Sequence, residues 1–182
     1  MSSKYKIRDQ SLPYFVSFAT VYWLDLFVRN EYREVLLDSL RYCQKEKGLV
    51  VYAWCIMTSH VHLIIGTSGN KMEDILRDFK SHTSRTLRKA ITEHPQESRK
   101  EWLLWMMERA GKQNSNNKDF QLWQQDNHPI ELWDNYMMEQ KLAYLHQNPV
   151  VSGFVSSAED YVYSSARDYA GEKGLLEIRF LE

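Results

Sequence analysis

The 182-residue sequence predicts an α+β fold, in which an antiparallel sheet is packed against helices on one face. The apolar run 51–65 is long for a single strand, and Thr58-Ser59 divides it into two strands that pair with each other. Two segments with helical periodicity, 30–47 and 71–91, flank this pair of strands. A helix before and a helix after a pair of strands favour a fold in which both helices pack on the sheet that these strands form.

Composition and stop signals define the first half of the chain. Residues 13–23 are rich in β-branched and aromatic side chains, which predicts a first strand. The first helix begins near Asn30, a favourable N-cap residue, and ends before Gly48. The helix predicted over 71–91 carries apolar residues on one stripe and basic residues on another.

The second half of the chain has weaker signals. A short helix is predicted over 98–110, inside a surface insertion at about 94–119 that is polar towards its end. A short strand is predicted at 120–125, and a helix is predicted from Pro129 to about Gln147. The length and the lack of repeats predict one domain over the whole chain.

Composition narrows the class of protein. The net charge of −1 argues against a protein that coats nucleic acid through bulk charge, so any site for a polyanion must be local. The two cysteines, Cys43 and Cys55, form neither a CxxC pair nor a disulfide framework. We find no signal peptide and no apolar run of membrane-spanning length, and therefore expect a soluble protein of the cytoplasm.

Two histidines open the second strand of the predicted pair. His60 and His62 are two residues apart, so both imidazoles leave the same face of the sheet while Val61 faces the core. Two neutral imidazoles form half of a divalent-metal site, which needs a further ligand and an open position to act on a substrate. The alternative is that the pair is incidental.

The last predicted helix offers the missing groups. Tyr144 and Asn148 are four residues apart and share a helical face if the helix persists to Asn148. Docked against the histidine strand, Asn148 would complete the metal site and Tyr144 would lie beside its open position. A tyrosine there can attack a metal-polarised phosphodiester and form a phosphotyrosine. Alternatively, Tyr144 is a core or rim residue and Asn148 caps a helix end.

The helix predicted over 71–91 has an excess of positive charge. Between Ile75 and Ile91 there are five Lys or Arg residues and one acidic residue, Asp78. The near absence of interleaved acidic residues favours contact with a phosphate backbone, and the alternative is an ordinary solvated helix face.

Five segments resemble, in order and spacing, the single-tyrosine HUH transposases, and in particular their REP-associated tyrosine transposase branch. The segments are MTSHVHLII (57–65), LRDFKSHTSR (76–85), LWQQDNHPI (122–130), YLHQNPVVSGFV (144–155) and DYVYSSARDY (160–169). A Met-x-x-His-Val-His turn combined with a downstream Tyr-x-x-x-Asn-Pro-Val is far more specific than either motif alone.

The resemblance implies a ferredoxin-like core, a Mg²⁺ or Mn²⁺ ion, and cleavage and rejoining of single-stranded DNA next to short hairpins. By motif position, His60 and His62 would be metal ligands and Asn148 the third ligand. Tyr144 would be the nucleophile that keeps a 5′-phosphotyrosine link. Insertion-sequence relatives have Gln where this chain has Asn148, so this chain has the shorter amide at that position.

Charge spacing and family position together suggest a path for the DNA. The expected DNA-binding residues are Arg77, Lys80, Arg85, Arg88 and Trp123. The basic residues would follow the backbone, and Trp123 or other exposed aromatic residues would stack on unpaired bases.

We therefore predict an enzyme, a metal-dependent tyrosine transposase that acts on single-stranded DNA with hairpins as a monomer or homodimer. The alternative is a catalytically inactive protein that binds DNA hairpins of the REP-like repeat type. A replication or conjugation initiator would use the same chemistry, but it usually needs a larger chain than this one.

Overall fold

The computed structural model describes residues 7–114 and 119–181. The elements in chain order are β1 (Tyr14–Ala19), α1 (Asn30–Lys47), β2 (Leu49–Ile56), β3 (His60–Thr67), α2 (Met72–Glu93), α3 (Lys100–Lys112), β4 (Ile130–Glu131), α4 (Asn135–Val151) and α5 (Ala166–Tyr169). Single 3₁₀ turns lie at Val21–Trp23, Leu26–Val28 and Ala158–Asp160.

The strands form one sheet in the order β2-β3-β1-β4. Every pairing between these strands is antiparallel, and His60 and His62 of β3 lie opposite Ala19 and Ser17 of β1. A helix follows β1 and another follows β3, which gives the βαββαβ order of a ferredoxin-like fold. The predicted fold class is confirmed.

Apolar side chains cover both faces of the sheet. On one face, alternate residues such as Val61 and Leu63 pack in the main core with α1 and α2. On the other face, Phe15 and Ile64 form a smaller core with Leu145 of α4. Helix α4 therefore lies on the face from which the two histidines of β3 project. This is the position required for Asn148 to lie beside the histidines.

Two predicted strands differ from the structure. Residues 120–125 form no strand, and Trp123 makes only an isolated bridge to Thr20; the fourth strand is β4 instead. The first strand ends at Ala19, not at residue 23, because Tyr22 and Trp23 have positive φ angles that break extended geometry.

The predicted bounds of the last helix are wrong at both ends. Helix α4 begins after Asp134, whose side chain accepts a hydrogen bond from the N–H of Met137 at 2.7 Å. The helix also continues through the buried Pro149, and the N–H of Ser152 still reaches the carbonyl of Asn148 at 3.0 Å. Helical geometry therefore extends to Asn148, which was the condition for placing it beside Tyr144.

The predicted insertion contains α3, and its residues 115–118 lie outside the described residues. The described residues include no helix that is long and apolar enough to cross a membrane.

Candidate active site

The start of β3 places two imidazole rings side by side. The ring centroids of His60 and His62 are 4.8 Å apart, and the His62 ring also stacks on Phe15 at 5.6 Å. His62 is buried, with 4% of its surface exposed, whereas His60 is half-buried. Because residues two apart in a strand point to the same face of the sheet, both rings lie side by side on that face.

Burial makes both histidines neutral. Burial, together with smaller effects of the nearby His60 and Lys141, lowers the pKa of His62 to about 3. Burial also lowers the pKa of His60, against opposing effects of Asn148 and Asp25. At neutral pH both rings are therefore uncharged, which is the form that binds a metal ion.

Helix α4 brings Tyr144 and Asn148 to the same place. The side-chain nitrogen of Asn148 lies 3.3 Å from Nε2 of His62, and the same amide raises the pKa of the neighbouring His60. The Tyr144 ring centroid is 5.4 Å from that of His62, and half of the Tyr144 surface is exposed. The structure therefore brings together the four residues that the sequence singled out, and leaves the tyrosine open to a substrate.

The side chains at this position fit a divalent metal ion. The described residues contain no cluster of three or more His, Cys, Asp or Glu. The amide of Asn148 can serve as a third ligand, because its oxygen and nitrogen can exchange places by a flip of the side chain. In addition, Nδ1 of His62 is buried and has no hydrogen-bond partner in the described part of the chain. Two neutral imidazoles and an amide oxygen leave further coordination positions open.

Two charged residues near this site were not found from the sequence. Lys141 lies three residues before Tyr144 on α4, and its ammonium is 5.8 Å from the Tyr144 ring and 5.3 Å from the Phe15 ring. Helical spacing from Tyr144 was a usable signal for Lys141. Asp25 accepts a hydrogen bond from Thr58 at 2.6 Å and raises the pKa of His60, but it lies on a turn with no local sequence signal.

The basic residues of α2 lie on the opposite side of the sheet from α4. Arg77 already pairs with Asp74 at 2.6 Å and with Asp78 at 3.1 Å. The ammonium of Lys80 donates hydrogen bonds of 2.7 and 2.8 Å to the segment 124–127. Burial lowers the pKa of Lys80 to about 8. Its ammonium therefore stabilises the fold through these hydrogen bonds and is poorly placed to contact DNA.

The other predicted DNA-binding residues differ in exposure. Arg85 and Arg88 are exposed on α2, and Arg88 lies over the Phe120 ring at 4.8 Å. Trp123 is only 5% exposed, stacks on Phe27 at 5.6 Å, and donates a 3.0 Å hydrogen bond to Thr83. The structure therefore corrects the expectation that Trp123 stacks on a base, because its ring is part of the core.

Comparison with known proteins identifies the family. The model of the family described as "Transposase IS200 like" matches residues 11–140, which include both histidines and end just before Tyr144. The structure of a REP-associated tyrosine transposase bound to a REP hairpin has the same fold, with a TM-score of 0.66 and 16% identity, over 100% of this chain and 92% of that one. A candidate transposase from Deinococcus radiodurans R1 gives a TM-score of 0.47 and 20% identity, over 81% of this chain and 97% of that one. No match was found among curated proteins.

The family match covers well over half of the chain. This protein therefore belongs to the IS200-like transposase family, a family of DNA-cleaving enzymes.

Proposed function

We propose that this protein cleaves and rejoins single-stranded DNA next to hairpins, with Tyr144 as the nucleophile. The observation that carries the proposal is the meeting of α4 with β3, where Asn148 lies 3.3 Å from His62 and the Tyr144 ring lies 5.4 Å from the His62 ring. A Mg²⁺ or Mn²⁺ ion would be held by His60, His62 and the oxygen of Asn148.

The proposed reaction is a pair of transesterifications. The phenolic oxygen of Tyr144 attacks the scissile phosphorus, the bond to the 3′ oxygen breaks, and a 5′-phosphotyrosine and a free 3′-hydroxyl result. A 3′-hydroxyl of a second DNA end then attacks the phosphotyrosine and regenerates the tyrosine. The bound metal would act as a Lewis acid that polarises the phosphodiester. Because the phosphoester bond is kept in the covalent intermediate, no nucleotide cofactor is required.

The side chains around Tyr144 support this role. Half of the Tyr144 surface is exposed, so a DNA strand can approach it, and the neighbouring Lys141 places positive charge where a phosphate would arrive. The REP hairpin in the similar solved structure supports hairpin DNA as the partner class. The thiols of Cys43 and Cys55 are free and buried, which supports a cytoplasmic location. We propose a monomer or a homodimer as the active form.

A covalent adduct is the direct test. The protein is incubated with Mn²⁺ and labelled single-stranded oligonucleotides from both flanks of its gene, and the products are separated on denaturing gels. We expect a shifted band that is absent with a chelator and absent for Tyr144→Phe. Tyr136→Phe is the matched control, because Tyr136 lies on the same helix and is 72% exposed.

Two results would contradict the proposal. An adduct that persists in Tyr144→Phe would place the nucleophile elsewhere. Tight hairpin binding without an adduct, for either flank and either metal, would identify a catalytically inactive hairpin-binding protein.

A further inference from the structure

The turn after β1 presents two aromatic rings to solvent from an unfavourable backbone conformation. Tyr22 and Trp23 have φ angles of 54° and 55°, in the left-handed region that bulky side chains rarely adopt. Among the described residues, His128 is the one other non-glycine residue with a positive φ. Tyr22 is 45% exposed and Trp23 is 59% exposed, so burial of their rings does not explain the conformation.

Hydrogen bonds hold this turn in place. The hydroxyl of Thr20 donates to the carbonyl of Leu24 at 2.8 Å, and the N–H of Thr20 donates to the carbonyl of Ser59 at 2.9 Å. The N–H of Val21 donates to the carbonyl of Leu122 at 2.7 Å. The exposed rings therefore project from a fixed backbone that is bonded to Ser59, the residue before His60. Exposed rings on a fixed backbone form a pre-organised contact surface.

Trp23 is in direct contact with the candidate active site. Its ring meets the His60 ring edge-on, with centroids 5.5 Å apart. His60 contacts His62, and His62 contacts Tyr144. A continuous series of ring contacts thus connects the exposed indole to the proposed nucleophile, so a strand held at Tyr144 can run past the Trp23 ring.

Tyr22 connects this surface to a polar cleft. Its hydroxyl donates a 3.1 Å hydrogen bond to the side-chain oxygen of Gln113. The cleft has a volume of about 540 Å³, and side-chain amides form much of its lining, from Gln113, Asn114, Gln121, Gln124 and Gln125. An unpaired nucleobase has a flat apolar face and a hydrogen-bonding edge. The exposed rings match the flat face of a nucleobase, and the cleft beside them is lined by polar groups.

We propose that Trp23, with Tyr22 beside it, is a stacking platform for an unpaired nucleobase of the DNA strand that enters the candidate active site. The proposal rests on the proposed function for the path of the strand, and it assigns a positioning role to Trp23. Stacking on a fixed indole places the adjacent phosphate without reading the base sequence.

Binding in the Tyr144→Phe background tests the platform without cleavage. Fluorescence anisotropy is measured with a labelled hairpin oligonucleotide that has single-stranded flanks, and with a series in which one flank nucleotide at a time is abasic. We expect one abasic position to weaken binding by roughly 5- to 100-fold. Trp23→Ala should weaken binding of the intact oligonucleotide by a similar factor and remove the effect of that abasic position, whereas Trp23→Phe should keep most of the affinity.

A second variant separates DNA contact from folding. Trp23→Gly removes the ring and relieves the backbone conformation, so we expect a higher melting temperature together with weaker DNA binding. Tyr42→Ala is the control, because Tyr42 is 58% exposed on α1, on the opposite face of the sheet from α4, and should change neither the affinity nor the abasic profile.

The platform is overturned if Trp23→Ala binds the intact oligonucleotide like its parent, or if its abasic profile is unchanged. The binding assay needs no covalent chemistry. If the unmodified protein forms no adduct, only the role of Tyr144 is contradicted. The abasic profile would still decide the role of Trp23.

Discussion

At the scale of single residues, the proposed metal site depends most on Asn148. His60 and His62 supply two neutral donors, and Asn148 is the uncharged amide that contacts both rings. Hard divalent cations bind more tightly as the charge of their oxygen ligands increases. A change of charge at this one position should therefore alter metal affinity in a predictable direction.

We expect Asn148→Asp to lower the Mn²⁺ concentration that gives half-maximal adduct formation, because a carboxylate adds a negative charge at the third ligand. Asn148→Ala should raise that concentration by about 10-fold or more, because a ligand is removed. The measurement is a Mn²⁺ titration of the adduct yield, with direct metal binding followed by calorimetry. If Asn148→Ala titrates like the unmodified protein, Asn148 is not a ligand.

Local spacing predicts that His60, His62, Tyr144 and Asn148 lie together, but it does not predict that Trp123 is buried. The period of two in a strand placed His60 and His62 together, and the i,i+4 spacing of a helix placed Asn148 beside Tyr144. Whether a tryptophan is exposed depends on packing between distant segments. Trp123 is buried by Phe18 and Phe27, residues about a hundred positions earlier in the chain.

At the scale of secondary-structure elements, the junction of α1 and β2 fixes one end of the sheet. Gly48 ends α1 with a φ of +73°, and its carbonyl accepts a 2.9 Å hydrogen bond from the N–H of Ser68 in the loop after β3. A Cβ at this position would lie 2.7 Å from the backbone nitrogen of Gly69. Both the left-handed conformation and the close backbone approach require glycine here.

We expect Gly48→Ala to destabilise the protein more than Gly153→Ala. Gly153 has a nearly identical φ of +75°, but a Cβ there would have no atom within 4 Å, so its substitution should cost only about 1 kcal/mol. The backbone clash at Gly48 should add about 1–3 kcal/mol to the loss. Urea denaturation of both variants gives the comparison. Equal losses would show that the loop moves away without penalty.

The elements that were predicted incorrectly depend on contacts that the local pattern does not contain. Pro129 is a plausible first residue of a helix, but the capping side chain of Asp134 places the start later. Pro149 usually ends a helix, yet α4 continues to Val151. The segment 120–125 has strand-forming residues but enters the core with one bridge only, since β4 takes the edge position beside β1.

At the scale of the whole molecule, one buried carboxylate joins segments that are far apart in the sequence. The side chain of Glu97 is 1% exposed and accepts hydrogen bonds from Arg29 at 2.8 Å and from Arg99 at 3.1 Å. The hydroxyl of Tyr32 in α1 lies 3.3 Å from the same carboxylate. Glu97 therefore ties the region of the predicted insertion to α1, a connection across more than sixty residues that no local motif reveals.

This tie predicts how stability depends on pH. Burial alone would raise the pKa of Glu97, but hydrogen bonds from Arg99 and Arg29 outweigh burial and lower the pKa to about 2. A lowered pKa in the folded state means that the unfolded chain binds the proton more readily. The stabilisation is therefore complete above about pH 4.5 and is lost as the pH falls towards 2, with a total of about 3 kcal/mol.

We expect Glu97→Gln to remove this contribution, because a neutral amide cannot balance the two arginines. The variant should be less stable than the unmodified protein at pH 7 by about 3 kcal/mol, and the difference should shrink as the pH falls to 3. The measurement is urea denaturation from pH 7 to pH 3, with the exposed Glu139→Gln as the control. A difference in unfolding free energy that stays constant over this range would show that Glu97 acts through packing and not through its charge.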